Sequence, residues 1–298
     1  MCAYHTPVLL QESIVALAIK PGGVYVDATF GGGGHSRAIL EQLGPKGLLL
    51  GFDQDTDSLA NAPADKRFKW VHGNFRFVHN FCKYLGYEQV DGILADLGVS
   101  SHQFDTDSRG FSFRFDGDLD MRMNQQAALT AATVLNTYSP ERLEQVFRDY
   151  AELPNARSIA QRISTFRDKG TPIRTTEDFR QALGTLIPKV ADHKFLAKIY
   201  QALRIEVNGE MNALSGFLGQ CLSLLKPQGR LVIITYHSLE DRMVKVFIRQ
   251  ACLDNRLVAI TKKPLVPSEE EISSNTRARS AKLRVAAGVS PNGQEVRL

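Results

Sequence analysis

Four consecutive glycines, Gly31 to Gly34, follow the β-branched run Val24 to Thr29 and precede the helix-like stretch Ser36 to Leu43. Glycine admits left-handed backbone and lets main-chain amides come close to a ligand, while the start of the next helix adds positive potential. A plain turn has no need of four such residues, whose ordering is costly in entropy. Strand, glycine loop and helix in this order open an α/β sheet that holds a nucleotide-like cofactor. A P-loop is excluded, because no Lys-Ser or Lys-Thr follows the glycines. Against the pattern GxGxxG, Gly31 and Gly33 fit, but Ser36 occupies the third glycine position.

The pattern continues along the chain. Gly44-Pro45-Lys46-Gly47 breaks it before a buried-strand run, Leu48 to Phe52, that stops at Asp53; further strands are predicted at Phe68 to His72 and at Gly92 to Ala95, ending at Asp96. Strands alternating with helices imply right-handed crossovers and a mostly parallel sheet. Between Thr106 and Gly209 the sequence offers no buried strand, only helical stretches at 127–135, 140–150, 155–166, 176–186 and 195–207. The α/β pattern resumes with a helix over 211–225, the turn Lys226-Pro227-Gln228-Gly229, the strand Leu231 to Tyr236, a helix over 240–252 and a strand near 257–261. The reading is therefore a discontinuous sheet domain, 1–105 with 210–298, and an inserted helical substrate-recognition domain, 106–209. The tail from Lys262, rich in Pro, Ser and charge, is expected on the surface.

Asp53 lies twenty residues beyond Gly33, where a carboxylate can accept both hydrogen bonds of a ribose diol. Asp27 ends the first strand. Acidic groups at both places suit S-adenosylmethionine, with its ribose and cationic amino-acid end; on these features alone NAD fits as well. The Lys226-Pro227-Gln228-Gly229-Arg230 turn resembles the LKPGG turn of class I methyltransferases.

Composition narrows the setting. A net charge of +4 over 298 residues is too small to mark a nucleic-acid footprint, so any basic surface must be local. No apolar run reaches the roughly 18 to 20 residues of a membrane span, and MCAYHTPVLL lacks the layout of a secretory signal. Cys2, Cys82, Cys221 and Cys252 are widely spaced, without a CxxC pair, which points to reduced thiols rather than disulfides or zinc. The expectation is a soluble cytoplasmic protein without a metal site.

ADLGVSSHQFD (Ala95 to Asp105) leaves the fourth predicted strand. With HTPVLLQE (His5 to Glu12), DATFGGGGHS (Asp27 to Ser36), RGFSF (Arg109 to Phe113), LDMRMN (Leu119 to Asn124), QALRIEVN (Gln201 to Asn208), YHSLEDRMVK (Tyr236 to Lys245) and NTRARSAKLRV (Asn275 to Val285), it resembles the bacterial 16S rRNA cytosine-N4 methyltransferase family, RsmH/MraW. The blocks run in order over nearly the whole chain. The resemblance implies a class I S-adenosylmethionine-dependent methyltransferase (Rossmann-like) sheet with a helical insertion. The implied reaction methylates the exocyclic N4 amine of one decoding-centre cytidine, position 1402, of 16S rRNA in the small ribosomal subunit. Carried over by motif, the cofactor contacts are Gly33, Gly34, His35, Asp53, Phe75, Asp96 and Gln103. A homodimer stays open. The chain departs from the family pattern at Gly32, where arginine is common, at His102, where proline is usual, and at Asp118, in place of the proline of Gly-Pro-Leu; 193–200 lacks the His-Pro-Ala-Thr-Arg run.

Methyl transfer is an in-line displacement, so placement of the amine is the enzyme's main task. The cytosine amine is a weak nucleophile, and an acceptor for its protons would help. Asp96 is the first candidate, with service to the methionine end of the cofactor as its other role; the Leu97 carbonyl is the alternative acceptor. His237 is a second catalytic candidate, for orienting the base or taking the proton. Ser238, Glu240 and Asp241 read as a helix cap and its dipole partners. His35, at the helix entry, reads as a shaping residue. Phe104, Phe111, Phe113 and Phe115, interleaved with Arg109, Arg114 and Arg122, are read mainly as core, with RNA contact as the alternative. The segment Asn275 to Arg284 carries Arg277, Arg279, Lys282 and Arg284 and no acid, which suits phosphate contacts; the alternative is a solvated basic strand or a segment packed back on the sheet.

Overall fold

The computed structural model describes residues 7–290. Cys2, His5 and Thr6 of the sequence reading lie outside them. The chain divides into two compact units, one built from 1–98 with 212–298 and the other from 99–211. These divisions fall at 98/99 and 211/212, against 105/106 and 209/210 in the sequence reading.

In chain order the elements of the first segment are α1 (Leu10–Leu17), β1 (Val24–Asp27), α2 (Gly34–Gln42), β2 (Leu48–Asp53), β3 (Phe68–His72), α3 (Val78–Tyr84) and β4 (Val90–Asp96). The helical unit follows, with α4 (Ser101–Asp105), α5 (Ala131–Thr137), α6 (Pro140–Ala151), α7 (Ala156–Arg167), α8 (Thr176–Leu183) and α9 (Asp192–Asn208). Then come α10 (Glu210–Leu224), β5 (Leu225–Thr235), α11 (Ser238–Leu253), β6 (Leu257–Ala259), α12 (Glu269–Ser274) and β7 (Lys282–Gly288).

The seven strands form one sheet in the order β3-β2-β1-β4-β5-β7-β6. The first five pair in parallel, and β7 runs antiparallel to both β5 and β6. This is the class I methyltransferase sheet expected from the motifs. Period-two alternation assigns its side chains to two layers. Val26, Leu50, Ile93, Leu231 and Ile233 meet α3, α10 and α11 on one face; Tyr25, Leu49, Leu94, Val232 and Ile234 meet α1 and α2 on the other. Both faces are covered, which is why the strands read as nearly continuous apolar runs.

The tail departs from its expected surface position. β7 is buried over six of its seven residues and lies between β5 and β6, with Arg230 opposite Ala287 and Thr235 opposite Lys282. Lys282 and Arg284 hid this strand, because charges at alternate positions read as solvent-facing. Instead Arg284, only 9% exposed, places its Nε 2.7 Å from Asp241 of α11, and Lys282 Nζ is 3.3 Å from the same carboxylate. Lys226 to Gly229 belongs to β5 as an irregular start, where the register jumps between Val90 and Gly92 and Gln228 takes a φ of 60°. Helix α1 carried no strong sequence signal.

In the helical unit, α6 and α8 start where capping chemistry put them. Ser139 accepts from the Arg142 N–H ahead of Pro140 at the first helical turn, and Thr175 with Asp178 forms a capping box. Helix α5 starts at Ala131, four residues later than expected, because Thr130 caps it by accepting the Thr133 N–H. Among the described residues of this unit the only β pairing is an isolated bridge, Asp118 with Thr175. Phe111 is buried in the unit's core and Phe104 and Phe113 pack against it. Arg109 is buried and donates to the Arg122 carbonyl at 2.8 Å, while Arg122 forks onto Asp120. Phosphate contact by these two arginines is thereby replaced by internal pairing.

No described helix is long and apolar enough to cross a membrane. Removing the Arg284 side chain leaves Asp241 in a mostly buried site with only Lys282 beside it. Arg284→Ala is expected to destabilise the sheet unit by about 2 kcal/mol and Arg279→Ala, on an exposed turn, by less than about 0.5 kcal/mol, compared by chemical denaturation.

Candidate active site

The chain moves outward through β1, β2 and β3, then returns to lay β4 on the other side of β1, so the connections diverge between β1 and β4. Such a switch point opens a crevice at the carboxyl ends of the strands. Asp27 ends β1, Asp53 ends β2 and Asp96 ends β4. Tyr236 comes directly after β5.

The glycine loop joins β1 to α2 inside this crevice. Gly31 and Gly33 have φ values of 48° and 72°, a region that disfavours side chains. The Gly31 N–H donates to Asp53 Oδ2 at 2.8 Å, and the Asp55 N–H donates to Oδ1 at 2.9 Å. A carboxylate has about four acceptor positions, so each oxygen keeps capacity for another donor, as a ribose diol requires. Burial pushes the Asp53 pKa up, and the two amide bonds oppose that. The loop and this carboxylate therefore fit a ribose-bearing cofactor. Gly34 has a different reason: a Cβ there would lie 2.2 Å from Pro7 Cγ, so local packing alone requires glycine.

Ser36, the mismatch to GxGxxG, donates its hydroxyl to Asp27 Oδ2 at 2.7 Å, while Oδ1 accepts the Thr29 N–H. Asp27 is fully enclosed, and desolvation lifts its pKa to about 6 against those hydrogen bonds. Asp96 keeps 24% of its side chain exposed, yet it faces protein on most sides. Desolvation raises its pKa to about 7; the Tyr236 hydroxyl lowers it, and Asp27 and Glu240 add to the rise. The Asp96 N–H is held by Thr29 Oγ1 at 2.6 Å.

His35 is buried with Nε2 3.2 Å from the Val8 carbonyl and Nδ1 3.8 Å from Asp96 Oδ2. The carbonyl requires the proton on Nε2, which leaves Nδ1 as an acceptor. Burial lowers the pKa of this ring to about 4, so it stays neutral near pH 7. Phe75 sits beyond β3, where the Gly73 N–H donates to the Asp53 carbonyl, and packs edge-on against Phe217 at 5.2 Å. Gly33, Gly34, His35, Asp53, Phe75 and Asp96 thus all belong to the sheet unit. Gln103 belongs to the helical unit, where it is buried and closes a capping box with Ser100.

Several assignments change. His237 is the N-cap of α11, a role the sequence reading gave to Ser238. Its Nδ1 accepts the Glu240 N–H, and its buried Nε2 lies 3.1 Å from Glu240 Oε1 without making a hydrogen bond. Glu240 is buried and returns Oε2 to the Tyr236 and His237 N–H groups. Arg284 leaves the phosphate-contact set because its guanidinium is buried against Asp241, whereas Lys282, which shares that carboxylate, keeps 43% of its side chain exposed. Thr29 and Tyr236 were missed as site residues. Tyr236 closed the predicted strand, and its position beside the end of β4 was the available signal, visible only once β4 and β5 are known to be neighbours.

A model of the MraW methylase family matches residues 2–289. The chain is 52% identical over 295 residues to the Ribosomal RNA small subunit methyltransferase H of Bacteroides fragilis, covering 95% of this chain and 97% of that protein. The protein of that name from Flavobacterium johnsoniae is 52% identical over 294 residues, with 95% and 97% covered. That from Parabacteroides distasonis is 50% identical over 299 aligned positions, with 96% and 98% covered.

The raised acids make a pH prediction. Asp96 keeps its proton to about pH 7 when folded, whereas an unfolded aspartate releases it near 3.8, so its contribution to stability is full below about pH 4 and lost as pH rises through about 7. Asp27 behaves alike up to about 6, and His35 has the opposite sign, losing its contribution as pH falls through about 4. Between pH 6.5 and 8 the melting temperature of the ligand-free protein should fall more steeply than that of Asp96→Asn. Equal slopes by differential scanning calorimetry would refute the burial argument.

Proposed function

The chain belongs to the MraW methylase family, and on that premise we propose that it methylates the exocyclic N4 amine of the decoding-centre cytidine at position 1402 of 16S rRNA, in the small ribosomal subunit. The observation that carries the chemistry is Asp96, which ends β4 beside the glycine loop with Oδ1 held by Tyr236. S-adenosylmethionine, when bound, supplies an electrophilic methyl group on a sulfonium centre. Asp53 would take the ribose hydroxyls, the loop from Gly31 to Gly34 would lie along the cofactor, and Phe75 would border its adenine. Asp96 would accept an N–H of the target amine and orient the nitrogen for in-line attack. That amine gains a carbon bond and gives up a proton, which a carboxyl with a pKa near 7 can hold.

A buried base pair hides its amine, so the target must be unpaired or flipped out. The helical unit is read as the substrate-recognition insertion. In the tail, Arg279 is exposed, and Arg277, Arg279 and Lys282 remain the candidates for phosphate contact. The names of the three relatives support a ribosomal RNA substrate.

Labelled methyl transfer to small subunits lacking the modification, followed by nucleoside analysis, should give N4-methylcytidine; label on adenine or on a ribose hydroxyl overturns the substrate assignment. Asp53→Ala should weaken S-adenosylmethionine binding tenfold to a hundredfold by calorimetry. Asp96→Ala should lower kcat by about a hundredfold or more while the chain stays folded. Replacing Arg277 and Arg279 by Gln should weaken RNA binding and flatten its salt dependence, by about one in slope for each contact removed.

A further inference from the structure

The Tyr236 hydroxyl donates to Asp96 Oδ1 at 2.7 Å, joining the residue after β5 to the last residue of β4. The Tyr236 main chain is fixed by its own N–H donating to Glu240 Oε2 at 2.9 Å. Asp96 is gripped at its N–H by Thr29, and its second oxygen, Oδ2, faces the acceptor nitrogen of His35 at 3.8 Å. Two acceptors side by side are complementary to a donor carrying more than one hydrogen, such as an amino group. The phenol occupies one oxygen of the pair and leaves the other turned toward that position.

From this geometry we infer that Tyr236 is a positioning residue: its phenol favours the charged form of the Asp96 carboxylate and directs Oδ2 at the amine of a bound ligand. A hydrogen bond donated to a carboxylate favours the ionised state. The groups facing Asp96 otherwise oppose ionisation. They are Asp27 at the end of β1 and Glu240 on α11, both acidic, while His35 on α2 is neutral and adds no charge. Tyr236 itself faces Asp96, Glu240 and Glu271, and burial with these acids lifts its own pKa well above the usual value, so it remains a donor at every pH at which the protein works. No other donor to a carboxylate oxygen of Asp96 is found among the described residues.

The inference rests on the methyltransferase reading only for its rate readout. The test is Tyr236→Phe, which keeps the ring and deletes the hydroxyl. Carbon-13 NMR of the Asp side-chain carboxyls in the ligand-free chain, with Asp96→Asn to assign the signal, should show Asp96 titrating at a pH about one unit higher in Tyr236→Phe than in the unaltered chain. The rising limb of the pH profile of kcat/KM should move in the same direction. At a pH below the limb the variant should then lose about tenfold, with most of the difference recovered on the high-pH plateau. An Asp96 signal that titrates at the unaltered pH overturns the inference. A moved signal with an unmoved rate profile upholds the role of Tyr236 and removes Asp96 from the transfer step, so the failure of either idea is recognisable.

Discussion

Three carboxylates end three neighbouring parallel strands, and supplying them with donors where the protein shields them is the demand around which the sheet unit is arranged. Charged acids in a low-dielectric site are unfavourable unless donors surround them. Ser36 and the Thr29 amide serve Asp27, the Gly31 and Asp55 amides serve Asp53, and Tyr236 serves Asp96. The glycine loop is thus structural in its own right. One of its amides holds an acid, and its left-handed residues give it the path to reach there. A loop whose main chain is fixed in this way offers its ligand a surface that has already lost its freedom, which favours tight binding.

Much of this could be read before the fold was known, because the carboxylates stand where apolar runs stop. Asp27, Asp53 and Asp96 were each found by the end of a strand, and the helical starts at Ser139 and Thr175 by their caps. What escaped was whatever depends on strand order. Tyr236 becomes a partner of Asp96 only through β4 lying beside β5. β7, whose packing on the sheet was only the alternative reading, was not preferred because the burial of Arg284 depends on an acid on another element, Asp241, and no pattern local to 282–288 reveals that. The capping role of His237 escaped for a related reason: histidine after a strand suggests proton transfer, while here its Nδ1 also closes a helix end.

Charge in the chain follows a similar division of labour. Arg109, Arg122 and Arg284, which look like anion contacts in the sequence, are engaged with carbonyls or acids of their own unit. The small net charge therefore conceals two populations of cations, those that bind the fold together and those, such as Arg279, that are exposed.

The placement of β7 also bears on how the molecule comes into being. β5 acquires its β4 neighbour as soon as it is made, but its opposite edge pairs with a strand that follows every other strand among the described residues. During synthesis the apolar edge from Leu231 to Ile234 must wait, unpaired, while α11, β6 and α12 emerge. An unpaired edge is a template for aberrant association. A chain that stopped shortly before Lys282 would carry nearly the whole site and leave the β5 edge of its sheet open.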